Sequence, residues 1–233
     1  MKVSLAQIEF ADALLFTDHD PALLGLDATS GIRVVAIDPI TSSEAYSRFM
    51  LEELADHIET DHCLIVQWDG HVIDAGRWQD AFLEYDYIGA SWPQFDDGYE
   101  VGNGGFSLRS RRLLEACRAP EFERHHPEDL AICRTNRAFV ESLGLSFAPV
   151  ELANQFSTER TGDPSFSFGY HGVFLMPQIL GVEVFWRTYQ CLSDRKTVWA
   201  DFGPLVRSIY NAKDGLSRAV SFALKRLTDT VEI

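Results

Sequence analysis

Val101-Gly102-Asn103-Gly104-Gly105-Phe106-Ser107-Leu108-Arg109-Ser110 holds three glycines and an asparagine within four consecutive positions. Read from the residues, it ends an extended segment and opens into a helical run from Arg109 to Cys117. Glycine permits backbone conformations that a side chain forbids and lets a ligand approach the main chain. The free N–H groups of a helix start favour anions or sugar oxygens. The other reading is a tight strand-to-helix turn that binds nothing.

Outward from this stretch, strands and helices alternate. Ala13-Leu14-Leu15-Phe16-Thr17 and Arg33-Val34-Val35-Ala36-Ile37 read as buried strands. Thr41-Ser42-Ser43-Glu44 reads as a capping box, and Tyr46, Met50, Leu54 and Ile58 behind it repeat every four residues as a helix face. Cys63 to Trp68 reads as a strand with little alternation, of the kind found at the centre of a parallel sheet. A short helix is expected at Trp78 to Leu83, a strand at Tyr87-Ile88-Gly89-Ala90, and helices at Arg112 to Cys117 and Leu130 to Leu143. Phe147-Ala148-Pro149-Val150 reads as a late strand, and Ser157 to Gly172 as a structured aromatic loop. The pattern predicts an α/β fold with a mainly parallel sheet flanked by helices.

The last segment differs. Leu216, Val220, Leu224 and Leu227 form a helical stripe beside Arg218, Lys225 and Arg226. Such a helix usually packs on its own domain; a membrane surface or a partner, a second copy included, is the alternative. The expected division is a main domain over 1–184 and a helical appendage over 185–233, with the appendage a candidate homodimer contact.

Composition bounds the function. The 233 residues suit one large domain or one domain with an appendage. Twenty Lys and Arg against 35 Asp and Glu give a formal charge of −15, which argues against a nucleic-acid surface. The cysteines Cys63, Cys117, Cys133 and Cys191 form no CxxC pair, so a zinc site is not expected and the pattern fits a reducing, cytoplasmic setting. The start has no long apolar leader, and no apolar run reaches the roughly 18 residues that span a bilayer.

Three further segments carry chemistry. Asp69 follows the third strand directly, in Gln67-Trp68-Asp69-Gly70-His71. A carboxylate beyond a strand's carboxyl end suits a divalent cation, magnesium or manganese, that also takes phosphate oxygens; the bland use is a turn cap. Pro127-Glu128-Asp129 opens a helix. Two acids there complement the helix dipole, or one of them faces a cleft as general base; Asp129 is the favoured base and Glu128 the supporting partner. His171, in Phe168-Gly169-Tyr170-His171-Gly172, completes a metal site, donates to a phosphate, or simply packs. The aromatics around His171, and Trp92, either stack on a sugar or base face or fill the core.

The order of these segments resembles glycosyltransferases of the GT-A fold, and among them Fringe-like inverting enzymes. In those a DXD-type metal motif, a Gly-Gly turn before a helix, an acidic pair and a late histidine come in the same order. The block from Tyr46 to Gly172 more closely resembles a bacterial domain-of-unknown-function family classed as glycosyltransferase-like. Gln67-Trp68-Asp69-Gly70, Tyr85-Asp86-Tyr87-Ile88-Gly89-Ala90, Val101 to Arg109 and Pro127-Glu128-Asp129 carry that likeness. The resemblance implies a GT-A-like, Rossmann-type sheet and transfer of a sugar from a nucleotide-sugar donor to an acceptor hydroxyl on a glycan or other molecule. It implies Asp69 and His171 as metal ligands and Asp129 with Glu128 as the catalytic acids. It also implies Trp68, Trp92, Gly102, Asn103, Gly104 and Gly105 around the substrate. Two features depart from it. Only the last acid of the DXD triplet is present, and the first strand and helix of the nucleotide pocket are expected to be missing, since Leu5 to Phe10 leads straight into the strand at Ala13. A non-catalytic nucleotide- or glycan-binding relative is therefore the alternative; a metal-dependent hydrolase would want a denser set of Asp and His.

Overall fold

The computed structural model describes residues 1–229 except 21, 23, 24, 27–29 and 193. The chain divides into two compact units, Met1–Tyr170 and His171–Ile233.

The first unit begins with α1 (Lys2–Leu5), β1 (Leu14–Thr17), β2 (Arg33–Ala36) and α2 (Ser43–Arg48). It continues through β3 (His62–Val66), β4 (Gly70–Val72), β5 (Tyr87–Ile88) and β6 (Phe106–Ser110). Helices α3 (Arg111–Ala116), α4 (Glu128–Leu130), α5 (Arg137–Ser142) and α6 (Val150–Phe156) follow, then β7 (Ser157–Thr158) and β8 (Gly169–His171). Ser42 Oγ accepts from the Ala45 N–H at 3.1 Å, so the expected cap does start α2.

The fold is mixed α/β, but the expected large parallel sheet is not present among the described residues. β1 and β2 pair in parallel, β3, β6 and β5 form a three-stranded sheet, and β4, β8 and β7 form another. Both β3 and β5 run antiparallel to β6, so they point the same way on either side of one reversed strand. Every residue of β6 is buried, although Phe106-Ser107-Leu108-Arg109 alternates apolar and polar side chains as a half-exposed strand does.

That strand corrects the reading of the glycine-rich stretch. Gly102 to Gly105 leads into β6, and the helix starts only at Arg111. Ser110 ends the strand and caps α3: its Oγ accepts from the Leu113 N–H at 3.1 Å and donates to Asp86 Oδ1 at 2.5 Å. The late strand expected at Phe147 to Val150 is likewise absent. Phe147 makes a single parallel bridge to Tyr87, and Val150 begins α6. Pro149 sits just before that helix, where its fixed φ and missing N–H cost nothing.

One core gathers Phe82, Tyr87, Ile88, Phe106, Leu108, Phe156 and Phe168; a second places Phe49, Met50, Leu54 and Leu114 against Leu14, Phe16, Cys63 and Ile65.

The second unit contains α7 (Met176–Ile179), α8 (Val182–Cys191), α9 (Lys196–Trp199), α10 (Phe202–Tyr210) and α11 (Gly215–Asp229). Phe222 of α11 is its hub, with ring centroids 5.0 Å from Tyr189, 5.0 Å from Trp199 and 5.4 Å from the stacked ring of Phe202. The expectation that the leucine stripe packs inward is corrected. Leu216, Val220, Leu224 and Leu227 are exposed by 67%, 51%, 58% and 64%, while Gly215 and Phe222 are the buried residues of α11. Among the described residues no helix is long and apolar enough to cross a membrane.

Candidate functional site

Three segments of the first unit meet at the carboxyl end of β3. The chain leaving β3 carries Trp68 and Asp69, and just before them the Gln67 N–H donates to the Gly105 carbonyl at 2.9 Å. One residue back, the Gly104 N–H donates to Asp129 Oδ2 at 3.1 Å. The strand tip, the glycine turn and the acidic start of α4 are thereby tied together. Gln67 Nε2 also donates to the Tyr46 hydroxyl at 2.9 Å, which brings α2 to the same place. Burial, reinforced by the charge of Glu128, pushes the Tyr46 hydroxyl up to about 12.

The glycines are required by packing. A Cβ on Gly102 would lie 2.0 Å from the Trp92 ring, and one on Gly104 would lie 2.5 Å from Glu128 Oε1 and 2.8 Å from Arg109 Nη2. A Cβ on Gly89 would collide with the carbonyl oxygens of Gly102 and Asn103. Trp92 is buried over Gly102, so its ring is a lid on the turn; Trp68 is 44% exposed. Asn103 sits in the left-handed region at φ 38°, a conformation asparagine tolerates. Its side chain donates to Glu159 Oε2 and accepts from the Gly105 N–H. The N–H groups of both Gly104 and Gly105 are thus engaged within the protein.

The two acids have different surroundings. Glu128 is buried and pairs with Arg109 at 3.1 Å, the guanidinium having no exposure at all. Arg109 Nε also donates to Ser107 Oγ at 3.1 Å, and Ser107 Oγ donates to the Gly104 carbonyl at 3.0 Å. Burial works against the charge of Arg109, yet Tyr87, Glu128 and Tyr46 around it outweigh that and hold its pKa above the ordinary value. Asp129 is half-buried, and no ion pair of its own is formed among the described residues. Its Oδ1 accepts from the Leu130 N–H at 2.8 Å. Burial first, and the neighbouring Glu128 second, raise its pKa above the usual carboxylate value.

Asp69 is half-buried, and its charge, added to burial, raises the pKa of the Tyr170 hydroxyl. His171 is half-buried at the start of the second unit. Among the described residues no group of three or more His, Cys, Asp or Glu side chains is placed to hold a metal ion. His125 and His126 are engaged locally, with Thr135 Oγ1 at 2.8 Å and Ser47 Oγ at 2.9 Å. A cleft of about 770 Å³ lies at the opposite ends of the same strands, lined by Asp61, His62, Tyr85, Asp86, Ser110 and Arg111.

Arg109, Asp86 and Glu159 organise this region although sequence reasoning gave them no role. Asp86 is buried and accepts from Ser110 Oγ and from the Ser146 N–H at 2.9 Å, fixing β5 to the end of β6. The signal was present in part, since Asp86 and Arg109 both stand inside the quoted motif stretches; a charged residue within an apolar strand stays there only with a partner.

Among curated proteins and solved structures nothing matches this chain significantly. Residues 30–171, well over half of the chain and including every element of the site just described, match one family, so the protein belongs to the family described as "Protein of unknown function (DUF5672)".

Proposed function

We propose that the chain is a GT-A-like, inverting glycosyltransferase that moves a sugar from a nucleotide-sugar donor to an acceptor hydroxyl. The observation that carries this reading is the pair of hydrogen bonds, Gln67 to Gly105 and Gly104 to Asp129, that joins the β3 tip to the acidic helix start. Ligands of open α/β sheets sit beyond the carboxyl ends of strands, and β3 and β5 point the same way there. The cleft of about 770 Å³ lies at the amino ends and is not the site on this reading.

Asp129 is the general base. Its raised pKa brings it closer to the range in which a carboxylate both accepts and releases a proton, and it keeps some exposure. The acceptor oxygen bonds to the anomeric carbon as the bond from that carbon to the diphosphate oxygen breaks. The hydroxyl proton passes to Asp129, and the nucleoside diphosphate leaves with the electron pair. Glu128, held by Arg109, keeps the start of α4 in place. Trp68 offers an exposed face for the base or sugar.

Asp69 is a hard oxygen ligand of the type magnesium and manganese take one or two of, filling the rest with phosphate oxygens and water. It would hold the cation together with phosphate oxygens of the donor and water. Bound there, the cation would neutralise charge developing on the leaving diphosphate. A second reading, a binding module without catalysis, is favoured by the lack of a three-ligand group among the described residues and by the engaged N–H groups of Gly104 and Gly105.

Titration of nucleoside diphosphates with and without manganese, repeated on Asp69→Ala, separates the two. Manganese-dependent binding that disappears in the variant supports the transferase. Glycan binding indifferent to metal and to the substitution points to the module. No binding of any nucleotide by the wild-type chain would sink the transferase reading.

A further inference from the structure

We infer that α11 is a docking face for an anionic lipid bilayer, a property independent of the sugar-transfer reading. The four aliphatic residues of the stripe are each more than half exposed and lie on a single 15-residue helix. At 3.6 residues per turn, Leu216, Val220 and Leu224 advance by about 40° per step, so they occupy one narrow arc. The buried residues Gly215 and Phe222 lie on the other side of the helix. The amphipathic pattern is therefore doubled: one side is anchored in the aromatic core of its unit, and an apolar arc faces outward. Solvated helices bring charged side chains to that arc, and this one does not.

Charge selects the occupant. The other exposed residues of α11 are Ser217, Lys225 and Thr228, and the only acid of the helix, Asp229, is half-buried. In a chain with 35 acids, an aliphatic arc edged by the hydroxyls of Ser217 and Thr228, with Lys225 on the flank about 100° past Leu224, suits a headgroup layer above acyl chains. The wider segment agrees. Residues 171–233 carry eight Lys and Arg against six Asp and Glu, whereas residues 1–170 carry 12 against 29. Screening limits what a surface feels to about 8 Å at physiological salt, so the local balance decides, and not the total of −15.

A second copy of the chain fits less well. A stable dimer buries roughly 800 Å² on each partner, about 20–30 residues a side, and one helical arc with four large side chains supplies much less. A bilayer needs only shallow insertion of a few apolar groups along about 22 Å of helix.

The test floats the full chain with vesicles of phosphatidylcholine alone or with 30% phosphatidylserine. It is repeated on a triple variant, Leu216→Ser, Val220→Ser and Leu224→Ser, whose altered side chains are exposed and whose near-ultraviolet circular dichroism is checked against the wild type. Expected is binding to the serine-containing vesicles that drops at least tenfold in the triple variant and weakens in Lys225→Glu. No flotation with either vesicle, or equal flotation of wild type and triple variant, overturns the inference. So does sedimentation of the wild type as a dimer that the triple variant converts to a monomer without any vesicle binding, which would assign the face to a second copy.

Discussion

Gly104→Ala is the sharpest probe of how the site is built. The added methyl would lie 2.5 Å from Glu128 Oε1, 2.8 Å from Arg109 Nη2 and 3.4 Å from Asp129 Cβ. The first two atoms belong to a buried ion pair with side-chain exposures of 6% and 0%, so neither can swing into solvent. Overpacking a tight interior typically costs about 1–3 kcal/mol, and breaking a buried ion pair outright about 3–5 kcal/mol. A loss of about 2–4 kcal/mol is therefore expected, with the pair pushed apart but not separated. For a chain of this length that lowers the melting temperature by roughly 5–15 °C. Urea unfolding followed by tryptophan fluorescence measures it. Gly203→Ala is the control. That glycine lies in α10 with nothing within 4 Å of the new Cβ, and helix propensity makes the change neutral or stabilising by up to about 1 kcal/mol. Because Glu128 is the obstructing atom, Gly104→Ala should cost less when Glu128→Ala is already present, by a coupling of about 1 kcal/mol or more. If Gly104→Ala unfolds within about 0.5 kcal/mol of the wild type, the turn is not pressed against the pair and the account of the site is wrong.

Asp129→Asn tests the raised carboxyl pKa. A folded-state value above the ordinary 3.8 means the folded protein binds a proton more tightly than the unfolded chain. Stability from this group is then fullest below 3.8 and falls as pH climbs to the folded value, so the variant should lack that part of the decline; superimposable stability–pH slopes for the two proteins would remove the argument. Phe222→Ala takes the hub from the aromatic cluster and should cost about 3–5 kcal/mol. Hydrogen exchange in residues 171–229 should rise first, and equal loss of protection in β3 and β6 would contradict the division into two units.

Much of the first unit was legible because its early strands are short apolar runs and α2 carries a capping serine. What misled the reading was polar burial. The helical run expected from Arg109 takes in the last two residues of β6, a strand whose polar side chains, Ser107, Arg109 and Ser110, are buried along with the apolar ones. Each of those polar side chains has a partner, and two of the partners, Glu128 and Asp86, are 19 and 24 residues away. Periodicity cannot register bonds of that span. The α11 stripe was misread for the opposite reason. Apolar spacing identifies an amphipathic helix but not which arc faces the protein, and in this unit a single phenylalanine anchors the inner side. In the site, the order of segments was readable, and the convergence of the glycine turn on Asp129 follows it; the burial of Trp92 and the use of the glycines as packing surfaces needed coordinates.

The adjacency of Glu128 and Asp129 has a consequence that neither acid would have alone. One buried guanidinium lies within reach, and its Nη2 is committed to Glu128. Two neighbouring carboxylates in a poorly solvated place resist being ionised together. Arg109 pairs with Glu128, and at Asp129 burial first and the charge of Glu128 second both raise the pKa. Arg109 therefore does more than brace a strand. Its bond to Glu128 fixes one acid of the pair, while the raised pKa belongs to Asp129 beside the Gly104 turn. A substitution at Arg109 should cost much of the stability by leaving Glu128 buried without its cation, whereas Asp129→Asn removes the carboxyl with the raised pKa and leaves the buried pair intact.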